Sequence, residues 1–298
     1  MAKDYNSDFA MERCLREMDP ALHRNFSNAV FGLQNLLSSY KHLFPDFTDH
    51  TELHSLTVID FCNRLIGHQI ERMNADEIYA LLMGCYFHDV GMGISQRDYD
   101  AFSKLIPFGD YFKTHDPADL PHIIRDYHNE FSGYFLRKYS EFFEIPSQAH
   151  LHAIIQIARG HRKTLLTDEA EYPLALPMPN GNTVCLPYLS ALIRLADEID
   201  VAAARNSVLL YDIASIEDSY EVMFHKTVKD VRQLIISEKA FTMVVDTDEQ
   251  EVFDEIVRIR SKMQSTLDDC REAVLGRTPY VITQERVDIL PVGKIRSL

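Results

Sequence analysis

A His-Asp pair, His88-Asp89, closes an apolar stretch that begins at Ala75 and runs through Ile78, Leu81, Leu82 and Cys85. A helix that is apolar nearly all round belongs at the centre of its fold, and an unpaired ionisable pair at its end would be costly to bury. Other polar residues recur at intervals of about one helical hairpin. His54 lies 34 residues before His88, His128 lies 40 after it, His161 follows 33 later and Asp197 another 36 on. The segments around them read mostly as helices. A bundle that gathers these six side chains satisfies the spacing and the burial cost together. Imidazoles with carboxylates form a ligand set that suits zinc, iron or manganese. The plainer reading, a satisfied core histidine or a capping aspartate, serves any one position but not the whole set.

Composition bounds the rest. The 298 residues are 46% hydrophobic and 25% charged, enough for one large domain and a small one. A formal charge of −15, with a pI near 5.3, opposes broad binding to nucleic acid or an anionic membrane. The five cysteines, at positions 14, 62, 85, 185 and 270, are scattered and odd in number, which suits reduced thiols in the cytoplasm. The N-terminal MAKDYNSDFA lacks a signal-peptide pattern, and no run approaches the length of a membrane span.

The pattern along the chain is mainly α. Phe26, Val30, Leu33, Leu37, Tyr40 and Phe44 mark an amphipathic helix over 26–44, which Pro45 stops. Thr48 or Asp49 caps a second helix, with Leu53, Leu56, Phe61, Leu65 and Ile66 as its stripe. Ala75 to about His88 is the central helix, broken by Gly91 and Gly93, and residues 94–121 read as short turns over the site. Helices resume over Ile123–Phe143 and Ser147–Gly160. Four prolines and Asn180-Gly181 give Tyr172–Tyr188 the character of a hairpin flap with a type I′ turn, and a helix runs from Pro187 to about Ala204. Thereafter Val208–Ile213 resembles a strand, Glu217–Val228 a helix, Val231–Ser237 and Phe241–Val245 two strands, Glu249–Val274 a long helix and Tyr280–Leu290 a strand. The expected organisation is a helical bundle over 1–205 and a small α+β domain over 206–298, a ferredoxin-like βαββαβ unit.

Asp197 shares a helix face with Leu189 and Ile193, so its carboxylate points where the core points. Asp200, one turn on, is solvated or supports a ligand from behind. Arg125, His128 and Ser132 are one turn apart on one helix. His161 is followed by Arg162 and Lys163, cations that suit either an anionic substrate or a helix C-terminus. His50, four residues before His54, suits the same site or a polar helix start, while His23, His42, His68, His115, His122, His150, His152 and His225 read as surface or capping residues. No glycine-rich phosphate loop, GxSxG elbow or thiol nucleophile is present.

These motifs resemble the HD-domain superfamily of metal-dependent phosphohydrolases. The resemblance covers roughly residues 45–205 and rests on Thr51-Glu52-Leu53-His54-Ser55, Phe87-His88-Asp89-Val90-Gly91 and Leu195-Ala196-Asp197. It implies His54, His88, Asp89 and Asp197 as ligands of one metal. His128 and His161 resemble the supplement of two-metal members, in which Asp89 would bridge. It further implies a cofactor of two divalent ions (manganese, iron, magnesium, zinc or nickel) and a small anionic phosphate substrate, a nucleotide above all. His88 and Asp89 are then the catalytic pair, and Arg162, Lys163 and Arg194 are candidates to bind the substrate phosphate. The cyclic-di-GMP branch of two-metal members carries a Lys where this chain has Met92, a His-His doublet where it has a single His161, and a Gly-Tyr-Pro that it lacks. That specificity is therefore not expected. Two other readings compete: a nucleotide-binding regulatory module with little catalysis, and an HD-type nuclease, which the negative charge disfavours. A homo-oligomer is compatible with the chain.

Overall fold

The computed structural model describes residues 10–38, 52–162, 164–201 and 219–292. The expected cap at Thr48 or Asp49, the stop at Pro45, His42, His50, Lys163 and the strand at Val208–Ile213 lie outside them. The first helices are α1 (Ala10–Met18), α2 (Pro20–Ser38) and α3 (Glu52–Ile66); α4 (Ala75–Phe87), α5 (Gln96–Phe102), α6 (Leu120–Tyr139), α7 (Gln148–Gly160) and α8 (Leu186–Glu198) follow. Beyond them come α9 (Ser219–Asp230) and α10 (Gln250–Val274). A two-stranded hairpin, β1 (Leu176–Pro177) with β2 (Thr183–Val184), precedes α8, and the strands β3 (Val231–Ile236), β4 (Ala240–Val245) and β5 (Arg286–Pro291) form a second sheet.

Helix α4 organises the bundle. Asn74 caps it, accepting from the backbone of Asp76 and Glu77, while Glu77 reaches back to the Asn74 N–H. This reciprocal box satisfies donors that a buried helix start would otherwise leave orphaned. Every residue from Asp76 to Phe87 is buried, as its all-round apolar sequence requires, and α1, α2, α3, α7 and α8 pack around it. After Asp89 the chain tightens into a 3-10 turn over Val90–Gly93 that lies against α6. A Cβ on Gly91 would stand 2.1 Å from the carbonyl oxygen of His128, so only glycine lets that helix approach.

The C-terminal elements continue this core. Helix α10 packs along α8, with the Cys270 thiol 3.7 Å from the Ala191 carbonyl. Tyr280 stacks on Tyr188 at 4.3 Å and donates to Glu77 at 2.7 Å. In the second sheet β3 and β4 are antiparallel, and β5 lies parallel and directly beside β4. A split βαββαβ unit would place another strand between the two joined by the second helix. In the described residues β4 and β5 are immediate neighbours, so they do not form the ferredoxin-like arrangement.

Other local expectations need correction. Leu53 is exposed, because the buried face of α3 runs through Leu56, Ile59 and Cys62 instead. The flap turn spans Met178–Gly181 with Pro179 and Asn180 at its centre, closed by the Gly181 N–H on the Met178 carbonyl at 3.0 Å. Only Gly181 is left-handed there (φ 89°), which excludes a type I′ turn at Asn180-Gly181. His150 and His225 are buried rather than superficial. No helix among the described residues is long and apolar enough to cross a membrane.

Candidate metal centre

Five helices deliver the six predicted ligands to one place. His54 comes from the first turn of α3, His88 and Asp89 from the end of α4, His128 from the middle of α6 and His161 from the end of α7. Asp197 stands in the last turn of α8. All but Asp197 are buried, and Asp197 borders an open cavity.

Each imidazole has its Nδ1 fixed from behind. Three use the carbonyl three residues earlier: His88 on Cys85 at 2.8 Å, His128 on Arg125 at 2.6 Å and His161 on Ala158 at 2.5 Å. His54 uses the Asp200 carboxylate at 2.7 Å. An Nδ1 facing an acceptor carries the proton, so each neutral ring turns an Nε2 lone pair inward. Those lone pairs meet further acceptors. His54 Nε2 is 3.2 Å from His88 Nε2 and 3.1 Å from Asp197 Oδ1, and His128 Nε2 is 2.7 Å from His161 Nε2. One Asp89 oxygen, Oδ2, faces His54 at 3.5 Å and His88 at 3.3 Å. The other, Oδ1, faces His128 at 3.2 Å and His161 at 3.8 Å.

The donor set fits divalent metal. Bonds of about 2.0–2.2 Å to nitrogen and oxygen separate neighbouring ligand atoms by about 3.0–3.6 Å, and most of these contacts fall in that range. The His128–His161 pair must open slightly and the His161–Asp89 contact must close slightly. The geometry resolves into two candidate triads, His54–His88–Asp89 and Asp89–His128–His161, joined at Asp89.

Electrostatics report the same crowding. Burial opposes charge on His88, but the carboxylates of Asp89 and Asp197 outweigh it and raise its pKa to about 9. His161 moves the other way: burial, then the charges of His128 and His88, hold its pKa well below the usual imidazole value. Burial would raise Asp197, yet the His54 hydrogen bond and the surrounding imidazoles keep it well below the ordinary carboxylate range.

The centre opens into a cavity of about 830 Å³. Arg125 and Asp126 of α6, Arg162 and Thr164, and Arg194 and Glu198 of α8 line it, and α10 adds Arg258 and Lys262. Arg162 makes no side-chain hydrogen bond or salt bridge among the described residues and borders the cavity. Arg194 is largely committed elsewhere: Nε donates to the Gly160 carbonyl at 2.7 Å and Nη2 to Thr164 at 2.8 and 2.9 Å. It thereby braces the turn that carries His161 and Arg162. Lys262 pairs with Glu198 at 3.0 Å. Asp200 is buried behind His54 rather than solvated, the second of its two expected roles. The reading of the sequence missed the α10 cations, whose only signal is that Arg258 and Lys262 lie one turn apart on a helix that also pairs with α8.

No curated protein and no solved structure matches the chain. The sequence model of one family does, described as HD-CE, over residues 44–274. That span includes all six clustered residues and the whole of α10, so the buried His/Asp centre belongs to an HD-type domain, consistent with a metal-dependent hydrolase. The chain is a member of the HD-CE family.

Proposed function

We propose that this protein is a metal-dependent phosphohydrolase that cleaves a phosphoester bond of a nucleotide or related small phosphate. The observation that carries the reading is the convergence of ligand atoms: four imidazole Nε2 atoms and the Asp89 and Asp197 carboxylates face one another, with each Nδ1 already committed outward. Crowded carboxylates and imidazoles of this kind hold either protons or cations, and divalent ions would satisfy all of them at once. The division of contacts between the two Asp89 oxygens supports two ions, with His54, His88 and Asp197 on one side and His128 and His161 on the other. Bound divalent ions would supply hydroxide from water near neutral pH and neutralise phosphoryl oxygens.

The chain's own residues then have separate tasks. Asp89 holds both sides of the centre in register, while Asp200 and the three helix carbonyls keep each imidazole aimed inward. Arg162, whose planar fork suits a phosphate, meets the substrate from the cavity wall. Lys163, next in the chain, adds charge. Arg194 serves chiefly by holding the Gly160–Thr164 turn in place. Residues 206–298 act as an accessory unit that completes the cavity, and the five free thiols suit a protein of the cytoplasm.

Elemental analysis of protein reconstituted with manganese or iron, followed by a phosphate-release screen over nucleotides, tests this. Two equivalents of metal and release of phosphate are expected. Saturation at one equivalent, with His128→Ala and His161→Ala leaving occupancy unchanged, would remove the second ion. Full occupancy without turnover on any nucleotide would leave the regulatory, nucleotide-binding reading in its place.

A further inference from the structure

Beside the metal centre lies a second cavity, of about 450 Å³, within the range of small-molecule sites. Asp126, Arg162 and Thr164 line both cavities, so the two adjoin along these residues. Their linings differ in kind. The first sets the metal-facing residues among cations and carboxylates, while the second offers flat rings and fixed acceptors.

Tyr111, His115 and Tyr127 supply the rings. Tyr111 and His115 are stacked with centroids 4.0 Å apart and planes 1° from parallel, and Tyr127 stands against Tyr111 at 85° and 5.1 Å. Loop packing explains Phe108, which meets Tyr127 at 4.8 Å and Phe112 at 4.9 Å. It does not explain why the two tyrosines remain half-exposed on a cavity wall. The acceptors are held rigidly. Asp126 receives the Tyr111 hydroxyl at 2.7 Å, and Glu130 is clamped by Arg159 at 2.8 Å. Both carboxylates border the cavity with acceptor capacity to spare. The buried Asn129 amide joins them.

A ligand for such walls is planar, aromatic and edged with N–H donors, and one end of it must reach Arg162 and the metal centre. We propose that the second cavity seats a nucleobase, so that the substrate is a nucleotide with its phosphate at Asp89 and its base against Tyr111 and Tyr127. Helix α6 would then read both ends, with His128 turned to the metals and Asp126, Tyr127 and Asn129 to the base. This inference rests on the phosphohydrolase reading and narrows it to base-bearing substrates.

The test is calorimetry on the full-length, manganese-loaded protein with two ligands that cannot be hydrolysed: the phosphonate analogues of a purine nucleoside monophosphate and of ribose 5-phosphate. The base-bearing ligand should bind at least about tenfold more tightly, the scale of one base stacked on an aromatic ring. Tyr127→Ala should collapse that advantage, and Tyr127→Phe, which keeps the ring, should retain it, with metal content confirming that both variants fold. Equal affinities for the two ligands would overturn the base subsite and leave the phosphohydrolase reading standing. If neither ligand binds protein carrying its full complement of metal, that reading falls and the inference falls with it.

Discussion

The two ends of α4 carry two buried clusters of histidine and aspartate that differ in one respect. At the start, Asp76 accepts from His150 Nε2 at 2.9 Å, Asn180 at 2.8 Å and Asn182 at 2.7 Å, and His150 Nδ1 meets the Ser147 hydroxyl at 2.8 Å. At the other end, about 18 Å away along the helix, His88 and Asp89 face three further imidazoles and Asp197. Helix α7 contributes to both, His150 from its first turn and His161 from its last. Every acceptor in the first cluster has a donor, and the protein closes it alone. The second crowds four Nε2 atoms and two carboxylates together, and without metal it retains a proton at His88. Burial of histidine and aspartate is therefore not what marks a metal site; the arithmetic of donors and acceptors is.

The contrast breaks most visibly on the aspartates. Asp89→Ala should lower phosphate release by about a thousandfold or more, since it removes the group common to both triads. It should also strip metal. Asp76→Ala should leave metal content intact and cost about 2 kcal/mol in urea unfolding, because it abandons the buried His150 donor and two partly exposed asparagine amides. A metal-replete Asp89→Ala protein, or a metal-free Asp76→Ala protein, would erase the distinction.

A smaller effect is expected one layer out. Asp200 fixes the tautomer of His54 without facing the ions, so Asp200→Ala should weaken metal binding about ten- to a hundredfold. Competition with a fluorescent chelator measures it, and an unchanged affinity would show that the Asp200–His54 bond does not prepare the ligand.

The smallest effects lie in pH. His88 is raised from 6.5 to about 9, so in metal-free protein it adds stability that is complete below pH 6.5 and fades as pH rises through about 9. Metal binding near pH 7 should expel about one such proton, and affinity should weaken as pH falls. Calorimetry in buffers of different ionisation enthalpy reads the proton, and a buffer-independent enthalpy would contradict the assignment. The Asp76 end has the opposite sign. Burial would raise that carboxylate, but the two asparagines and His150 hold it below 3.8, so its contribution is present above that value and is lost only as pH falls through the lowered pKa.

Much of the centre was legible because ligands on helices leave a periodic trace. His54, His88-Asp89, His128, His161 and Asp197 each sit where an apolar stretch meets a polar residue, and the stretches are of hairpin length. The central place of α4 followed from its lack of a polar face. What stayed hidden depends on partners far away in the chain. His150 looks like any helix-start histidine until Asp76, 74 residues earlier, is set against it. Lys262 reads as one more charge on a charged helix until Glu198 meets it. The neighbour relation of β4 and β5 is likewise a tertiary choice, since the same strand order in sequence permits either sheet.

Gly91 carries a consequence for how this centre is inherited. It binds nothing, yet its missing side chain lets the α6 backbone come within bonding distance of the turn after Asp89, where Ser132 accepts the Gly91 N–H at 2.8 Å and donates to the His88 carbonyl at 2.6 Å. Any larger residue would wedge α6 outward and carry His128 away from Asp89, while His54 and His88 kept their places. A lineage could thus lose the second triad through one added methyl group, with all six ligand codons intact. A search for the ligands alone would still count such descendants as complete.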